Sequence, residues 1–290
     1  MDDVEVRAIG VLGVGTMGAG IVQLAAQTGH PVIACDLSLE ALEKAQLYVR
    51  DGLSRFVGRS AFSEEEAEEH YDRIHWTVSL EDMAGVDAAI EAIVEKVEPK
   101  KEVFNALDNV VPPESLLLTN TSSISITDLA SATGRPDKVC GTHFFTPPPV
   151  REAVEVPRGL LTSDETVEKV KALITSFGKL PIVLKKGVPG FVGNRFLMPM
   201  LIEAARLLEE EVASKEDIDL LVKKGLGFPT GPFELGDLIG LDIGLDVISY
   251  IHEELGEPYY TPPRLLKELV RAGRLGRKSA RGFYEYPEET

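Results

Sequence analysis

The sequence predicts an α/β fold: a doubly wound parallel sheet followed by an all-α C-terminal domain. Short apolar segments alternate with segments of helical periodicity through the first part of the chain. A glycine-rich turn follows the first apolar segment, and strand-like segments disappear after Lys185–Gly190. Strands that alternate with helices form parallel sheets, which helices cover. We therefore predict a sheet-containing domain at residues 1–186 and a helical domain at 187–290.

The first strand–helix–strand unit is predicted from local signals. Residues 4–12 alternate and then become continuously apolar, which is typical of a strand entering a buried sheet. Apolar residues recur at helical spacing over 17–28, and Gly29 ends that helix as a C-terminal glycine does. A second buried strand follows at 31–36. Ser38 then begins a long helix that runs toward Arg55, because serine caps helix N-termini well.

The remaining elements follow the same alternation. The acidic segment 63–70 predicts a solvated helix. We expect further strands at 74–78, 88–92, 116–120, 139–145 and 181–184, and further helices at 99–110, 125–133 and 164–177. After residue 187 we expect helices at 191–211, 214–224 and 242–255, the second beginning with a capping-box pattern at Ser214.

Composition limits the classes of protein and of partner. The chain has 290 residues, 44% of them hydrophobic, which allows a sizeable core. Its net charge of −17 argues against a nucleic-acid partner, since those partners need a basic face. No apolar segment is long enough for a membrane span, and the acidic start Met1–Glu5 does not resemble a secretory signal, so we expect a cytoplasmic protein. The two cysteines, Cys35 and Cys140, lie in apolar strands and predict buried thiols and no metal site.

The glycine-rich turn predicts a dinucleotide site of the Rossmann type. It follows a strand and opens a helix, so pyrophosphate can bind the free N–H groups of the helix N-terminus. Asp36 ends the second strand, where an acid accepts the ribose hydroxyls and repels a 2′-phosphate, which favours NAD over NADP. FAD and a cofactor-free glycine turn remain as alternatives. The expected cofactor residues here are Gly13, Gly15, Thr16, Met17, Gly18 and Asp36.

Polar residues at three later places suggest the chemistry. Segment 119–123 (TNTSS) follows a buried strand, at the sheet edge where such folds bind ligands. His143 also follows a strand and is expected at the same edge, Glu155 lies beyond it, and Asn194 lies where the helical domain begins. Alcohol oxidation needs a base for the hydroxyl proton, and a histidine oriented by a carboxylate supplies one.

These segments together resemble the 3-hydroxyacyl-CoA dehydrogenase family, and most closely its short, single-function 3-hydroxybutyryl-CoA dehydrogenases. The resemblance covers nearly the whole chain. It is carried by the glycine loop, EAIVE at 91–95, TNTSS at 119–123, HFF-x-P at 143–147, PGF-x-x-NR at 189–195, GPFEL at 231–235 and LGRKS-x-x-GFY at 275–284.

The resemblance implies a role for each matching residue. His143 matches the base that takes the 3-hydroxyl proton, and Glu155 matches its carboxylate partner. Ser122 matches the serine that hydrogen-bonds the reacting oxygen, and we also count it among the cofactor residues. Asn194 matches the asparagine at the substrate carbonyl.

Further implications concern the ligands and the assembly. Glu95 and Lys100 match contacts to the nicotinamide half of the cofactor. The reaction is oxidation of a short-chain (S)-3-hydroxyacyl-CoA by NAD, in fatty acid or butanoate metabolism. The resemblance also implies a homodimer.

Substrate contacts are less well defined by the pattern. Arg55 and Arg59 stand where the family has lysines for the CoA phosphates, and they share one helix face if the helix persists. Ordinary surface charge is the alternative. Thr146 replaces the asparagine of the family's HFFNP segment, so it borders the acyl site and leaves acyl specificity open.

Two other functions remain compatible with the sequence. One is an NAD-dependent dehydrogenase of a free hydroxy acid or polyol acid, although such relatives usually lack the HFF form of the histidine segment. The other is a non-enzymatic NAD-binding protein, since a fold does not determine a function.

Overall fold

The computed structural model describes residues 6–287, so the predicted start of the first strand at residues 4 and 5 and the acidic start Met1–Glu5 lie outside the described residues. Contacts divide the described chain into two compact units, one extending to Val188 and one from Pro189 onward. That these units correspond to independent domains at 1–186 and 187–290 stays a prediction. No helix of the described part combines the length and the apolar character needed to cross a bilayer.

The first unit contains the parallel sheet that the sequence predicts. Its six strands are ordered β3-β2-β1-β4-β5-β6, and every neighbouring pair is parallel. This is the doubly wound order that reverses between β1 and β4, where ligands bind at the carboxyl ends of the strands. The strands are β1 (Ile9–Leu12), β2 (Val32–Cys35), β3 (Ile74–Thr77), β4 (Ala88–Glu91), β5 (Leu116–Thr119) and β6 (Val139–Gly141).

The helices of this unit begin and end on signals that the sequence carries. Ser38 caps α2 by accepting from the Ala41 N–H, and Ser63 with Glu66 forms a capping box on α3. The buried faces of β1, β4 and α1 form the centre of the core, while α3 buries none of its residues. The helices are α1 (Thr16–Gln27), α2 (Leu39–Val57), α3 (Glu64–Asp72), α4 (Val97–Val110), α5 (Ile126–Ala130) and α6 (Asp164–Ser176).

A second, three-stranded sheet corrects one prediction. The strand expected over 139–145 ends at Gly141, and β7 (His143–Phe144) pairs antiparallel with β8 (Ala153–Pro157), which pairs with β9 (Leu180–Leu184). A Cβ on Gly141 would lie 2.4 Å from Pro157 Cγ, so glycine permits the close crossing at which the chain changes sheets. The apolar run alone could not distinguish one strand from two.

The second unit is helical, as predicted. A core around Ile202, Phe233 and Ile248 packs its helices together. Two buried aspartates hold separate chain segments of this unit together. Asp219 accepts from the backbone N–H groups of Phe233 and Glu234, at the start of the helix Pro232–Ile239. Asp237 accepts from the backbone N–H groups of Phe283 and Tyr284, near the end of the described chain. The helices are α7 (Gly193–Glu209), α8 (Lys215–Lys224), α9 (Pro232–Ile239), α10 (Leu241–Leu255) and α11 (Arg264–Arg271).

Candidate active site

Each glycine of the loop between β1 and α1 meets a different steric requirement. Gly13 has φ +88°, and a Cβ there would lie 2.8 Å from the Ala92 carbonyl. A Cβ on Gly18 would lie 1.8 Å from the Gly13 oxygen, so helix and loop pack closely only with glycine. Nothing lies within 4 Å of a Cβ on Gly15, which is the N-cap of α1. Gly15 therefore leaves open space at a helix N-terminus, where a pyrophosphate fits.

Asp36 is tied to this loop. Its carboxylate accepts from the Val14 N–H at 3.0 Å and from the Ser38 N–H at 3.0 Å. These bonds hold the acid at the carboxyl end of β2, on the same sheet edge as the glycine loop. The exposed Thr16 and the half-buried Met17 form the first turn of α1. The residues present fit an NAD molecule, with the glycine loop holding the pyrophosphate and Asp36 the ribose.

His143 and Glu155 form a buried pair. They are directly opposite each other in the β7–β8 register, with His143 Nδ1 at 2.7 Å from Glu155 Oε2. His143 is 7% exposed and Glu155 4% exposed. The Glu155 carboxylate accepts a hydrogen bond from the Nδ1–H group of His143. The neutral ring therefore carries its lone pair on Nε2, the nitrogen that can take up a proton. This is the histidine–carboxylate arrangement that supports general-base chemistry.

The segment after His143 packs on the helix that the glycine loop opens. Thr146 Oγ1 donates to Met17 Sδ at 3.0 Å, and a Cβ on Gly20 would lie 2.7 Å from Pro148 Cδ. Thr146 is exposed, and its carbonyl accepts from Arg151 Nε. The histidine segment and the cofactor loop are thus adjacent within the first unit, while the role of Thr146 toward substrate stays a prediction.

Ser122 lies on the loop after β5 and is held by Glu95. Glu95 Oε1 accepts from the Ser122 N–H at 2.8 Å, the Ser122 hydroxyl at 3.1 Å and the Thr121 hydroxyl at 2.6 Å. Burial alone raises the pKa of Glu95, but the charge of Lys100 and the bonds from Thr121 and Ser122 together lower it. Glu95 is therefore an ionised acceptor that shapes the serine loop.

Two further residues support this loop and were absent from the predicted site. Glu91 ends β4 and contacts the buried Lys100, and Asn120 Oδ1 accepts from the Phe144 N–H beside His143. Both positions follow or end apolar strands at the binding edge, which is the signal that could have identified them.

The condition under which Arg55 and Arg59 share a helix face, that the helix persists to Arg59, is not met. Helix α2 ends at Val57, Gly58 caps it, and Ser60 has φ +58°, so Arg59 lies in a turn beyond the helix. Arg55 pairs with Asp51 at 2.7 Å with its side chain 72% exposed. Contact of either arginine with CoA stays a prediction.

Asn194 lies in the second unit, in the first turn of α7, and is 8% exposed. Its expected role at the substrate carbonyl stays a prediction. Within residues 6–287, no group of three or more His, Cys, Asp or Glu side chains is arranged to hold a metal ion.

Comparison with known proteins agrees with this geometry. Residues 8–187 match the model of the 3-hydroxyacyl-CoA dehydrogenase NAD-binding domain, and residues 190–286 match the model of the C-terminal domain of the same enzymes. The chain belongs to the 3-hydroxyacyl-CoA dehydrogenase family. It is an NAD-dependent 3-hydroxyacyl-CoA dehydrogenase, and the predicted resemblance, fold and cofactor are confirmed.

Individual members of the 3-hydroxyacyl-CoA dehydrogenase family are similar over their full length. A probable 3-hydroxybutyryl-CoA dehydrogenase of Bacillus subtilis is 43% identical over 286 residues, covering 99% of each chain. A 3-hydroxybutyryl-CoA dehydrogenase of Clostridioides difficile is 43% identical over 278 residues, 96% of this chain and 99% of the relative. The crystal structure of (S)-3-hydroxybutyryl-CoA dehydrogenase from Ralstonia eutropha superposes with a TM-score of 0.92 at 42% identity, over 98% of this chain and 100% of that chain.

Proposed function

We propose that this dehydrogenase interconverts (S)-3-hydroxybutyryl-CoA and acetoacetyl-CoA with NAD and NADH. The observation that carries the proposal is the buried His143–Glu155 pair, 2.7 Å apart, on a segment that packs against the helix of the glycine loop. The similar enzymes named for 3-hydroxybutyryl-CoA support the short acyl chain.

The residues divide the reaction between them. His143 Nε2 takes the proton of the 3-hydroxyl group as the C3–H bond breaks, and Glu155 stabilises the imidazolium that forms. NAD, held by the glycine loop and Asp36, would supply the acceptor for the hydride that leaves C3. Ser122 holds the reacting oxygen, so that C3 stays oriented through the transfer. In reduction, His143 returns the proton to the 3-oxygen.

The reverse reaction gives the most informative test. The protein is assayed with acetoacetyl-CoA, longer 3-oxoacyl-CoA thioesters and free acetoacetate, each with NADH and NADPH. We expect the highest kcat/KM with acetoacetyl-CoA and NADH. NADH is preferred over NADPH because Asp36 repels a 2′-phosphate. Equal or better turnover of free acetoacetate would favour a free hydroxy-acid dehydrogenase. No turnover of any acyl-CoA would favour a non-enzymatic NAD-binding protein.

We also propose a homodimer formed through the helical unit. Large apolar side chains are exposed there, with Phe196 of α7 79% exposed, Leu221 of α8 65% and Leu226 67%. Exposed apolar side chains of this size favour a partner surface. Sedimentation velocity tests the assembly, with a monomer at micromolar concentration as the contrary result. We propose a cytoplasmic location because NAD and acyl-CoA thioesters, which the activity consumes, are intracellular metabolites.

A further inference from the structure

A chain of buried charges leads from the sheet to the serine loop. Glu91 ends β4 with 0% of its side chain exposed, and Lys100 of α4 is 1% exposed. Lys100 Nζ lies 2.6 Å from Glu91 Oε1 and 3.3 Å from Glu95 Oε2, so one ammonium group bridges two carboxylates. Such burial of a lysine requires charged partners in fixed positions.

Glu91 is itself held on several sides. Its register partner across the β4–β5 pair is Thr119, whose hydroxyl donates to Glu91 Oε2 at 2.7 Å. The Ile93 N–H donates to Glu91 Oε1 at 2.7 Å. Burial raises the pKa of Glu91, and the bonds from Lys100, Thr119 and Ile93 oppose that shift. The Glu91 carboxylate is thus held at the end of β4 by Thr119 and Ile93 as well as by Lys100.

The other end of the chain of charges is the loop that carries Ser122. Glu95 Oε2 faces Lys100, and Glu95 Oε1 accepts from Thr121, Ser122 and Ser123. The Glu95 side chain is 31% exposed, and Lys100 contacts its Oε2 while the serine loop holds its Oε1. Lys100 is restrained in turn by Glu91. The Glu91 backbone carbonyl accepts from the Asn120 N–H at 2.8 Å, and the Glu91 carboxylate is connected to the Ser122 end of the loop through Lys100 and Glu95.

We propose that Glu91 is a positioning residue for the dehydrogenase reaction, which fixes the Ser122 loop through Lys100 and Glu95. This inference rests on the proposed function. A buried ion pair is weak evidence for stability, because apolar residues of similar volume often serve as well. The contacts that connect Glu91 to Lys100, Lys100 to Glu95 and Glu95 to Ser122 instead indicate that Glu91 positions the serine loop.

A double-mutant cycle between Glu91 and Ser122 tests the proposal. Glu91→Gln, Ser122→Ala and the double variant are assayed with (S)-3-hydroxybutyryl-CoA and NAD. We expect Glu91→Gln to lower kcat by about tenfold to a hundredfold, as a displaced catalytic group does, with KM for the acyl-CoA nearly unchanged. In the Ser122→Ala background the same change lowers kcat by less than about twofold, because the two residues act as one unit. Effects that multiply, or an unchanged kcat in Glu91→Gln, would overturn the proposal.

Amide hydrogen exchange gives a readout independent of activity. The Ser122 and Ser123 N–H groups donate to Glu95, so Glu91→Gln speeds their exchange while β4 and β5 stay protected. Unchanged exchange at both amides contradicts the proposal. If the wild-type protein does not oxidise the acyl-CoA, the proposed function fails, but the exchange result still decides whether Glu91 holds the loop.

Two further variants keep the test decisive. Asp108→Asn is the matched control: Asp108 lies on the same helix as Lys100, pairs with Arg135 at 2.6 Å and is 18% exposed. It alters stability without lowering kcat. If Glu91→Gln does not fold, Glu91→Asp replaces it in the cycle, because the shorter acid keeps the charge but does not reach Lys100. A wild-type kcat in a folded Glu91→Asp variant would overturn the proposal.

Discussion

The two units of the protein satisfy their buried carboxylates differently. In the first unit, Glu155 pairs with His143 and Glu91 pairs with Lys100, so each acid contacts a side chain that carries a proton or a positive charge. In the second unit, Asp219 and Asp237 accept from backbone N–H groups and tyrosine hydroxyls. The first arrangement pairs an acid with an imidazole or an ammonium group, whereas the second holds chain segments together.

We infer from these contacts that Glu155 and Glu91 serve the reaction and that Asp219 and Asp237 serve the fold. Neutral donors satisfy an acid without neutralising its charge, and burial raises the pKa of Asp219. The same aspartate, with burial, raises the pKa of Tyr284 far above its ordinary value. Near Glu95, by contrast, the charge of Lys100 and the bonds from Thr121 and Ser122 together lower the pKa in spite of burial. Substitution of Glu155 or Glu91 should therefore reduce turnover first, and substitution of Asp219 or Asp237 should reduce stability first.

Among the variants that test this difference between the two units, we expect the largest effect, a loss of kcat, for Glu155→Gln. The amide keeps the shape but cannot stabilise an imidazolium, so kcat falls by about a hundredfold. Initial rates and the thermal midpoint are measured together. A loss of stability with kcat near the wild-type value would place Glu155 with the structural acids and contradict the distinction.

Asp237→Asn makes the opposite prediction for the second unit. Asp237 is 1% exposed and accepts from two backbone N–H groups and the Tyr286 hydroxyl, and an amide leaves one of these donors without an acceptor. We expect unfolding in urea to become easier by about 1–3 kcal/mol, with kcat of the folded enzyme nearly unchanged. The exposed Glu254→Gln is the control, at less than about 0.5 kcal/mol. A stable Asp237→Asn protein with lowered kcat would reverse the assignment.

Many features of the first unit were predictable from the sequence. The glycine loop, Asp36 and the helix begun by Ser38 depend on local patterns, and the structure has them where predicted. The structure brings His143 and Glu155 together, while their catalytic roles stay a prediction, and strand β8, which carries Glu155, was not predicted. The proline-rich segment before it gives no strand signal, and its pairing with β7 is non-local.

Other features depend on contacts that no local pattern carries. In the sequence, Glu91 appeared only as the first residue of EAIVE, within the strand expected over 88–92, and its bond to Lys100 needs α4 folded back on the sheet edge. The helix predicted from Ser38 toward Arg55 left open whether it continues to Arg59, and the structure ends α2 at Val57. Where a turn conformation ends a helix, the spacing of apolar residues gives little indication of the last helical residue.

The pH dependence of Asp219→Asn sharpens the account of the structural acids. A raised folded-state pKa means that the folded state binds the proton more tightly than the unfolded state does. The associated stability is present below the ordinary pKa of 3.8 and is lost as pH rises through the folded value. Urea unfolding from about pH 4 upward should show the wild type losing stability relative to the variant. A wild-type advantage that grows with pH would contradict the assignment.

The smallest effect concerns the two thiols of the first unit. Burial is the largest cause that raises the pKa of Cys35 to about 11 and that of Cys140 to about 12. Both should resist alkylation by iodoacetamide at about pH 8 in the native protein and react once it is unfolded, since the thiolate is the reactive form. Mass spectrometry of the labelled chain measures this. Rapid native labelling of either thiol would show that burial does not control its ionisation.

The central claim is that His143, oriented by Glu155, is the base of an NAD-dependent 3-hydroxyacyl-CoA dehydrogenase. The most direct measurement is the single-turnover rate of NADH formation by His143→Gln, with saturating (S)-3-hydroxybutyryl-CoA and NAD, beside the wild type. The account predicts a rate lower by about 10²- to 10⁴-fold, the contribution of a general base, with NAD binding retained. A variant that forms NADH at the wild-type rate would contradict the account.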